Sequence, residues 1–302
     1  MSDKFIRSLN LTSPVDVHRA LDLIDLKPAK SQGQNFLIDA NILNIILKTA
    51  DLAASDQVLE IGTGLGALTE ALAGIVRRVV TIEKDSRLSA FLQTRFQTMS
   101  NIELIIADVM RLDLAKLWAS GINKLVANLP YSVGSALLVN IFKGDSRPEM
   151  IVVTLQTEVA NRLAAETDTK DYGLLSIWSR LSYEAEICKV ISPNCFLPRP
   201  EVQSAIVCMK KRRPLDVEPI DRGYFFGLTK YAFGQRRKQM HKILSSAPPQ
   251  FRRSAQELQK IFCELDIDPR IRPGALLLEQ WIQLANRMCD AGIKNPSAEH
   301  ER

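Results

Sequence analysis

Leu125-Val126-Ala127-Asn128-Leu129-Pro130-Tyr131 decides how this chain is read. Leu125 to Ala127 form an uncharged apolar run of the kind that makes a short buried strand. Pro130 cannot donate to a central ladder, so the strand stops before it. Its carboxyl edge then carries an amide, a rigid proline and an aromatic ring. In open α/β sheets, ligands bind at that edge. The Asn128 amide can accept a hydrogen bond, Pro130 fixes the backbone, and Tyr131 offers a flat face for a base. A plain strand-ending turn uses such residues too, so the neighbouring segments decide.

Upstream, Val58–Ile61 reads as a strand, followed by Gly62-Thr63-Gly64-Leu65-Gly66 and a helix through Leu68, Leu72 and Ile75. Strand Arg78–Glu83, helix Leu88–Phe96 and strand Ile102–Ala107 follow, the last ending at Asp108. A linker containing Trp118 leads to the quoted stretch. Helix Ala136–Phe142 and strand Met150–Leu155 come after it. Strands alternating with helices at this spacing predict an α/β fold with a mostly parallel, doubly wound sheet.

Beyond it, Gln156–Ala165 is helical and Leu174–Leu181 is a further apolar element. Phe196 to Ser204 is a proline-spaced loop feeding strand Ala205–Met209. Lys210 to Pro214 is a basic boundary, and Arg222 to Met288 reads as helices only. Four segments are therefore expected: an extension over 1–28, an α/β domain over 29–213, a helical domain over 214–290 and a disordered tail over 291–302. Asp39 is placed to cap a helix whose apolar face is Ile42, Leu43, Ile45, Ile46 and Leu47.

The 302 residues are 46% hydrophobic and 24% charged, enough to bury a sizeable core, and the net charge of +5 permits a polyanionic partner. Five cysteines without a C-x-x-C pair and three histidines make a metal site unexpected. Scattered thiols fit a reducing cytosol. No apolar run reaches bilayer-spanning length, so a cytoplasmic protein away from membranes is expected.

The glycine turn lets a ligand approach backbone at a helix N-terminus. Glu83, at the end of the next strand, stands where an acidic side chain grips ribose hydroxyls. Asp108, one strand further, is placed to accept from an exocyclic adenine amine. Three alternatives stay open on these residues alone: a tight turn with no ligand, a nicotinamide-dinucleotide site, and a mere helix cap at Asp108.

Gln34-Asn35-Phe36-Leu37, Glu60-Ile61-Gly62-Thr63-Gly64-Leu65-Gly66, Glu83, Asp108 and Asn128-Leu129-Pro130-Tyr131 together resemble the ribosomal RNA adenine N6-dimethyltransferase family, small-subunit (16S) branch. The likeness continues through Leu155–Leu163, Tyr172–Ser176, Phe196–Ser204, Gln235-Arg236-Arg237-Lys238 and Asp266–Pro273. It implies a Rossmann-like S-adenosylmethionine-dependent methyltransferase domain followed by a small all-helical domain. It implies S-adenosyl-L-methionine as cofactor, held by Asn35, Leu37, Gly62, Glu83, Asp108 and Asn128 beside the Gly64 turn. The implied substrate is two adjacent adenosines in the 3′-terminal hairpin of small-subunit rRNA, and the implied partner the immature small subunit, met by a monomer. Gly234 and the length of the N-terminal extension depart from the family pattern.

On this reading Asn128 and the Leu129 carbonyl accept from N6, Pro130 holds that carbonyl, and Tyr131 stacks on a flipped base. Phe196 is placed to cover the other face, or else is a core aromatic. Arg236, Arg237 and Lys238 would neutralise RNA phosphates, as would Lys210 to Arg213 and Arg252 with Arg253. Two rivals remain: a large-subunit rRNA adenine methyltransferase of the macrolide-resistance type, and a ribosome-assembly or transcription factor retaining the fold.

Overall fold

Why the quoted stretch ends a central strand is visible in the computed structural model, which describes residues 3–28 and 34–289. The expected tail over 291–302 lies outside the described residues. In chain order come α1 (Asp3–Ser8), α2 (Pro14–Leu23), β1 (Phe36–Leu37), α3 (Ala40–Thr49), β2 (Gln57–Ile61) and α4 (Ala67–Ala73). Then follow β3 (Arg78–Glu83), α5 (Ser89–Phe96), β4 (Ile102–Ile106), α6 (Leu114–Ala119), β5 (Lys124–Asn128), α7 (Gly134–Lys143) and β6 (Met150–Gln156). Next are α8 (Thr157–Ala164), α9 (Leu174–Arg180), β7 (Tyr183–Ile191), β8 (Phe196–Leu197) and β9 (Ser204–Lys211). Helices α10 (Arg222–Phe233), α11 (Met240–Ser245), α12 (Ala255–Glu264) and α13 (Leu278–Met288) are the last elements among the described residues.

Seven strands form one sheet in the order β4-β3-β2-β5-β6-β9-β7. Strands β4, β3, β2, β5 and β6 pair in parallel, and β9 pairs antiparallel to β6 from Met150↔Lys210 to Gln156↔Ser204. The chain order reverses between β2 and β5, so the crevice at their carboxyl ends is the topological switch point. The glycine turn and the Asn128–Tyr131 turn both open there. Val58, Leu59, Leu125, Val126, Ala127, Ile151, Val152 and Val153 are fully buried, as central strands covered on both faces require.

The chain divides into two compact units. One comprises 1–161 and 184–211, the other 162–183 and 212–302. The expected division has a single crossing near residue 213, whereas the chain crosses three times. The 162–183 excursion belongs with the C-terminal helices because α9 packs on them. Trp178 Nε1 donates to Thr229 Oγ1 at 3.0 Å, and its ring meets Phe226 edge-on with centroids 5.2 Å apart. An apolar helix face does not say in the sequence which partner will cover it.

The short β1–β8 pair and two longer elements escaped the sequence reading. Strand β7 exposes Glu184 and Lys189 and presents no clean alternation, as a sheet-edge strand can. Helix α6, in the expected linker, is capped by Asp113 and buries Trp118. The Asp39 cap forms as expected, accepting from Asn41 N at 2.8 Å and Ile42 N at 3.1 Å.

Candidate active site

Gly62 sits at φ 84°, a backbone conformation that penalises any residue with a Cβ. Space is tight as well, since a Cβ there would lie 3.0 Å from Pro130 Cδ. The two turns at the switch point therefore lie close together, and glycine allows this without strain. One step on, Gly64 N donates to Glu83 Oε2 at 2.9 Å, while Asp85 N donates to Glu83 Oε1 at 2.8 Å. Glu83 is thus held between the glycine turn and its own strand end. Burial raises its pKa, opposed by the Asp85 and Gly64 amides.

Two adjoining cavities open at this edge. The first is lined by Asn35, Leu37, Gly62, Gly64, Glu83 and Asn128, with Leu129, Pro130 and Tyr131. The second is lined by Gly62, Glu83, Asp108 and Pro130, among others. All the residues expected to hold a cofactor, and the whole Asn128–Tyr131 turn, are brought together around these two spaces. Asp108 does cap the short turn after β4, accepting from Met110 N at 3.0 Å, and it also pairs with Lys84 Nζ at 2.9 Å. The Lys84 ammonium is the largest influence keeping its carboxyl below the usual range. Capping and lining are therefore not alternatives here.

The Asn128 amide is tied at both ends. Its Nδ2 donates to the Asn35 carbonyl at 3.0 Å, and Thr154 Oγ1 donates to its Oδ1. A carbonyl oxygen has two lone pairs, so Oδ1 retains capacity for a second donor. The Pro130 carbonyl accepts from Val133 N at 3.0 Å and Gly134 N at 3.2 Å, which starts α7 and stiffens the turn. The Tyr131 hydroxyl lies 2.5 Å from Ser204 Oγ at the start of β9.

Two expectations do not match the placement of the side chains. Phe196 is 2% exposed and packs in the core with Leu37, Leu43 and Ile206, lining neither cavity. Its two-residue strand pairs with β1 in the register Leu37↔Phe196, which seats it in that cluster. Arg236 does not reach outward. Its Nη1 and Nη2 donate to the carbonyls of Lys170 and Thr169, both at 2.7 Å. Arg237 and Lys238, in contrast, are exposed.

Residues that the sequence reading assigned no role also stand here. Gln34 Nε2 donates to Asp85 Oδ2 at 2.9 Å, and Arg87 holds the Asp85 carboxyl down at about 2. Glu60, 1% exposed at the wall of the first cavity, accepts from Thr69 at 2.5 Å and Thr81 at 2.6 Å. Leu11 and Thr12 come to the same cavity from the N-terminal segment. Gln34, Glu60 and Ser204 lie inside recognisable motifs; Thr154, Leu11 and Thr12 carry no local signal.

The chain is similar to known proteins over most of its length. The chain is 36% identical over 292 residues to ribosomal RNA small subunit methyltransferase A of Lactiplantibacillus plantarum, covering 95% of this chain and 99% of that one. The protein of that name from Geobacillus sp. is 36% identical over 284 residues, covering 92% and 98%. The N-terminal extension is therefore no peculiarity of this chain: only 5% of 302 residues, about 15, lies outside the first match, fewer than residues 1–28. In fold it resembles a dimethyladenosine transferase from Plasmodium falciparum (TM-score 0.71, 23% identity, 82% of this chain and 95% of that one). It likewise resembles the 23S rRNA methyltransferase ErmE (TM-score 0.63, 24% identity, 84% and 99%). The ribosomal RNA adenine dimethylase model matches residues 26–287, across both units, and the chain belongs to that family of methyltransferases.

Proposed function

We propose that this enzyme dimethylates N6 of two adjacent adenosines in the 3′-terminal hairpin of small-subunit rRNA. The observation that supports this reading is the closeness of the two turns, a Cβ at Gly62 lying only 3.0 Å from Pro130 Cδ, which would set a cofactor cradle against a base-binding turn. The residues fit S-adenosyl-L-methionine. Gly62 and Gly64 leave the backbone bare, Glu83 offers a carboxylate to ribose hydroxyls, and Asp108 lines the space where adenine would lie. When bound, the cofactor supplies a methyl on a sulfonium, already activated for transfer.

The chain's own residues supply position. Adenine N6 is a poor nucleophile because its lone pair is delocalised into the ring. Asn128 Oδ1 and the Leu129 carbonyl accept its two N–H groups and draw the nitrogen towards tetrahedral geometry. The Thr154 and Asn35 bonds fix the amide so that no reorganisation is needed at the moment of reaction. Tyr131 stacks on the flipped base, anchored by Ser204. N6 gains a methyl and sheds a proton to solvent, with no side chain of tuned pKa required at that atom. Arg237 and Lys238 meet phosphates, while Arg236 braces the 169–170 loop. The protein acts as a cytoplasmic monomer on the immature small subunit.

Primer extension across the small-subunit 3′ hairpin, in cells with and without the protein, tests the reading. N6-dimethylation blocks Watson–Crick pairing, so a protein-dependent stop at two adjacent adenines is expected. An unchanged hairpin, with stops elsewhere in rRNA, would overturn it.

A further inference from the structure

The N-terminal segment carries no motif, yet it is locked to the helices behind the cofactor cradle. Arg95 of α5, 5% exposed, makes the lock. Its Nε and Nη2 donate to Glu70 Oε1 and Oε2 of α4, each at 2.6 Å, and Nη1 donates to the carbonyls of Ile6 at 2.6 Å and Leu9 at 3.2 Å. A bidentate guanidinium pair of this kind fixes direction as well as distance. Around it, Leu9, Leu11, Val17, Ala20 and Leu21 share one buried cluster with Phe36, Leu65, Leu88 and Phe96. Leu65 belongs to the glycine turn and Phe36 to the Gln34–Leu37 stretch. The segment is therefore packed onto the two loops that shape the first cavity.

Between α1 and α2 the chain makes a tight turn. Asn10 Oδ1 accepts from Thr12 N at 3.1 Å and from Thr12 Oγ1 at 2.8 Å, and Asp16 Oδ2 accepts from Asn10 N at 3.0 Å. This turn brings Leu11 and Thr12 to the wall of the first cavity, with Asn35, Gly64 and Asn128. Neither residue lines the second cavity, where Asp108, Ala107 and Val109 stand.

We infer that the Leu11–Thr12 turn is a binding wall for the amino-acid end of the cofactor, with Arg95 as its positioning residue. The inference rests on the cofactor reading above and adds to it a part of the chain outside every motif. An apolar leucine and a small hydroxyl there shape the space that the aminobutyrate tail of the cofactor enters, while the adenosine end lies in the second cavity. The turn thus contributes to ligands that have the tail and nothing to ligands that lack it.

Calorimetric titration of the full chain with S-adenosylhomocysteine and with 5′-methylthioadenosine, which lacks the amino-acid group, tests this. Thr12→Arg puts bulk and charge into the wall without touching the Arg95 lock. It should weaken S-adenosylhomocysteine by about tenfold or more and leave 5′-methylthioadenosine within about twofold, a difference of affinities set by the tail alone. Arg95→Ala should shift the same ratio in the same direction, and Arg95→Lys should recover part of it. A folded Thr12→Arg protein that binds both ligands as the parent does, or loses both equally, would overturn the inference. A parent that binds neither ligand would instead overturn the cofactor reading, and this inference with it.

Discussion

The Tyr131 hydroxyl and the Ser204 hydroxyl lie 2.5 Å apart, across 73 residues of sequence. An aromatic ring at the end of β5 is thereby fixed to the first residue of β9, two strands away in the sheet. Burial raises the Tyr131 pKa, so the phenol stays protonated and the bond remains neutral. The ring's stacking face and its anchor are separable by mutation.

Tyr131→Phe and Ser204→Ala should each loosen the ring by one neutral hydrogen bond, about 1 kcal/mol. The double variant should be no worse than either alone, because the two share one interaction. Tyr131→Ala removes the face itself, worth about 1–3 kcal/mol per stacked base, and should raise KM for RNA more than it lowers kcat. Steady-state kinetics on small subunits lacking the modification would show additive single effects if the bond does not matter.

Asn128→Ala should keep the fold and lower single-turnover methyl transfer by roughly 10²–10³-fold, the cost of one preorganised polar contact. Thr154→Val should retain the amide but release its Oδ1 partner, giving a smaller loss at unchanged cofactor affinity. A folded Asn128→Ala protein working at the parent rate would sink the role given to the amide.

Glu83→Ala should weaken S-adenosylhomocysteine by roughly 1.5–3 kcal/mol, the usual worth of a bond to a charged acceptor. Unchanged affinity by calorimetry in a folded variant would remove Glu83 from ribose binding.

Arg236 should separate from its neighbours. Arg236→Ala leaves two carbonyls without their charged donor and should lower Tm. Arg237→Ala and Lys238→Ala should leave Tm alone and flatten the salt dependence of RNA binding, by about 0.7–0.9 in log–log slope for each phosphate no longer neutralised. An Arg236→Ala protein with parent Tm and a flattened slope would reverse that assignment.

Glu60 predicts a pH dependence of stability. Burial pushes its carboxyl from 4.5 up to about 8, the Glu83 charge adds to the rise, and the Thr69 and Thr81 hydroxyls oppose it. Between those values the folded chain holds a proton that the unfolded chain has released. The folded state is then favoured most below the unfolded value, and stability falls as pH rises through 8, by at most about 1.4 kcal/mol per pH unit. Glu60→Gln cannot ionise, so its denaturation midpoint should lose this part of the slope between pH 5 and 8. Parallel pH profiles for the two proteins would show that Glu60 is ionised in the fold.

Much of the sheet was legible because parallel central strands are apolar throughout. Arg78–Glu83 was read at its observed ends, and Gly62, Glu83, Asp108 and Asn128 announced themselves as polar or bare residues ending apolar runs. What was not legible depends on pairings over long sequence separations. Thr154 gives no sign that it will face Asn128, nor Arg236 that carbonyls at 169 and 170 will capture it. Phe196 was ambiguous for the opposite reason. A phenylalanine before a proline-rich loop fits a stacking role or a core position equally well, and only the register with β1 separates them.

The position of β9 in the sheet has a consequence for how the chain is made. It enters between β6 and β7, although β6 ends at Gln156 and β9 begins only at Ser204. A nascent chain that has just completed β6 exposes the outer edge of a strand made for burial, its Ile151, Val152 and Val153 destined for no solvent contact. At about 5–20 residues per second that edge stays open for roughly 2–10 s. An unpaired apolar edge is a template for the wrong strand. The interval between residues 156 and 204 is therefore when this protein is most exposed to aggregation, and when a chaperone has most to protect.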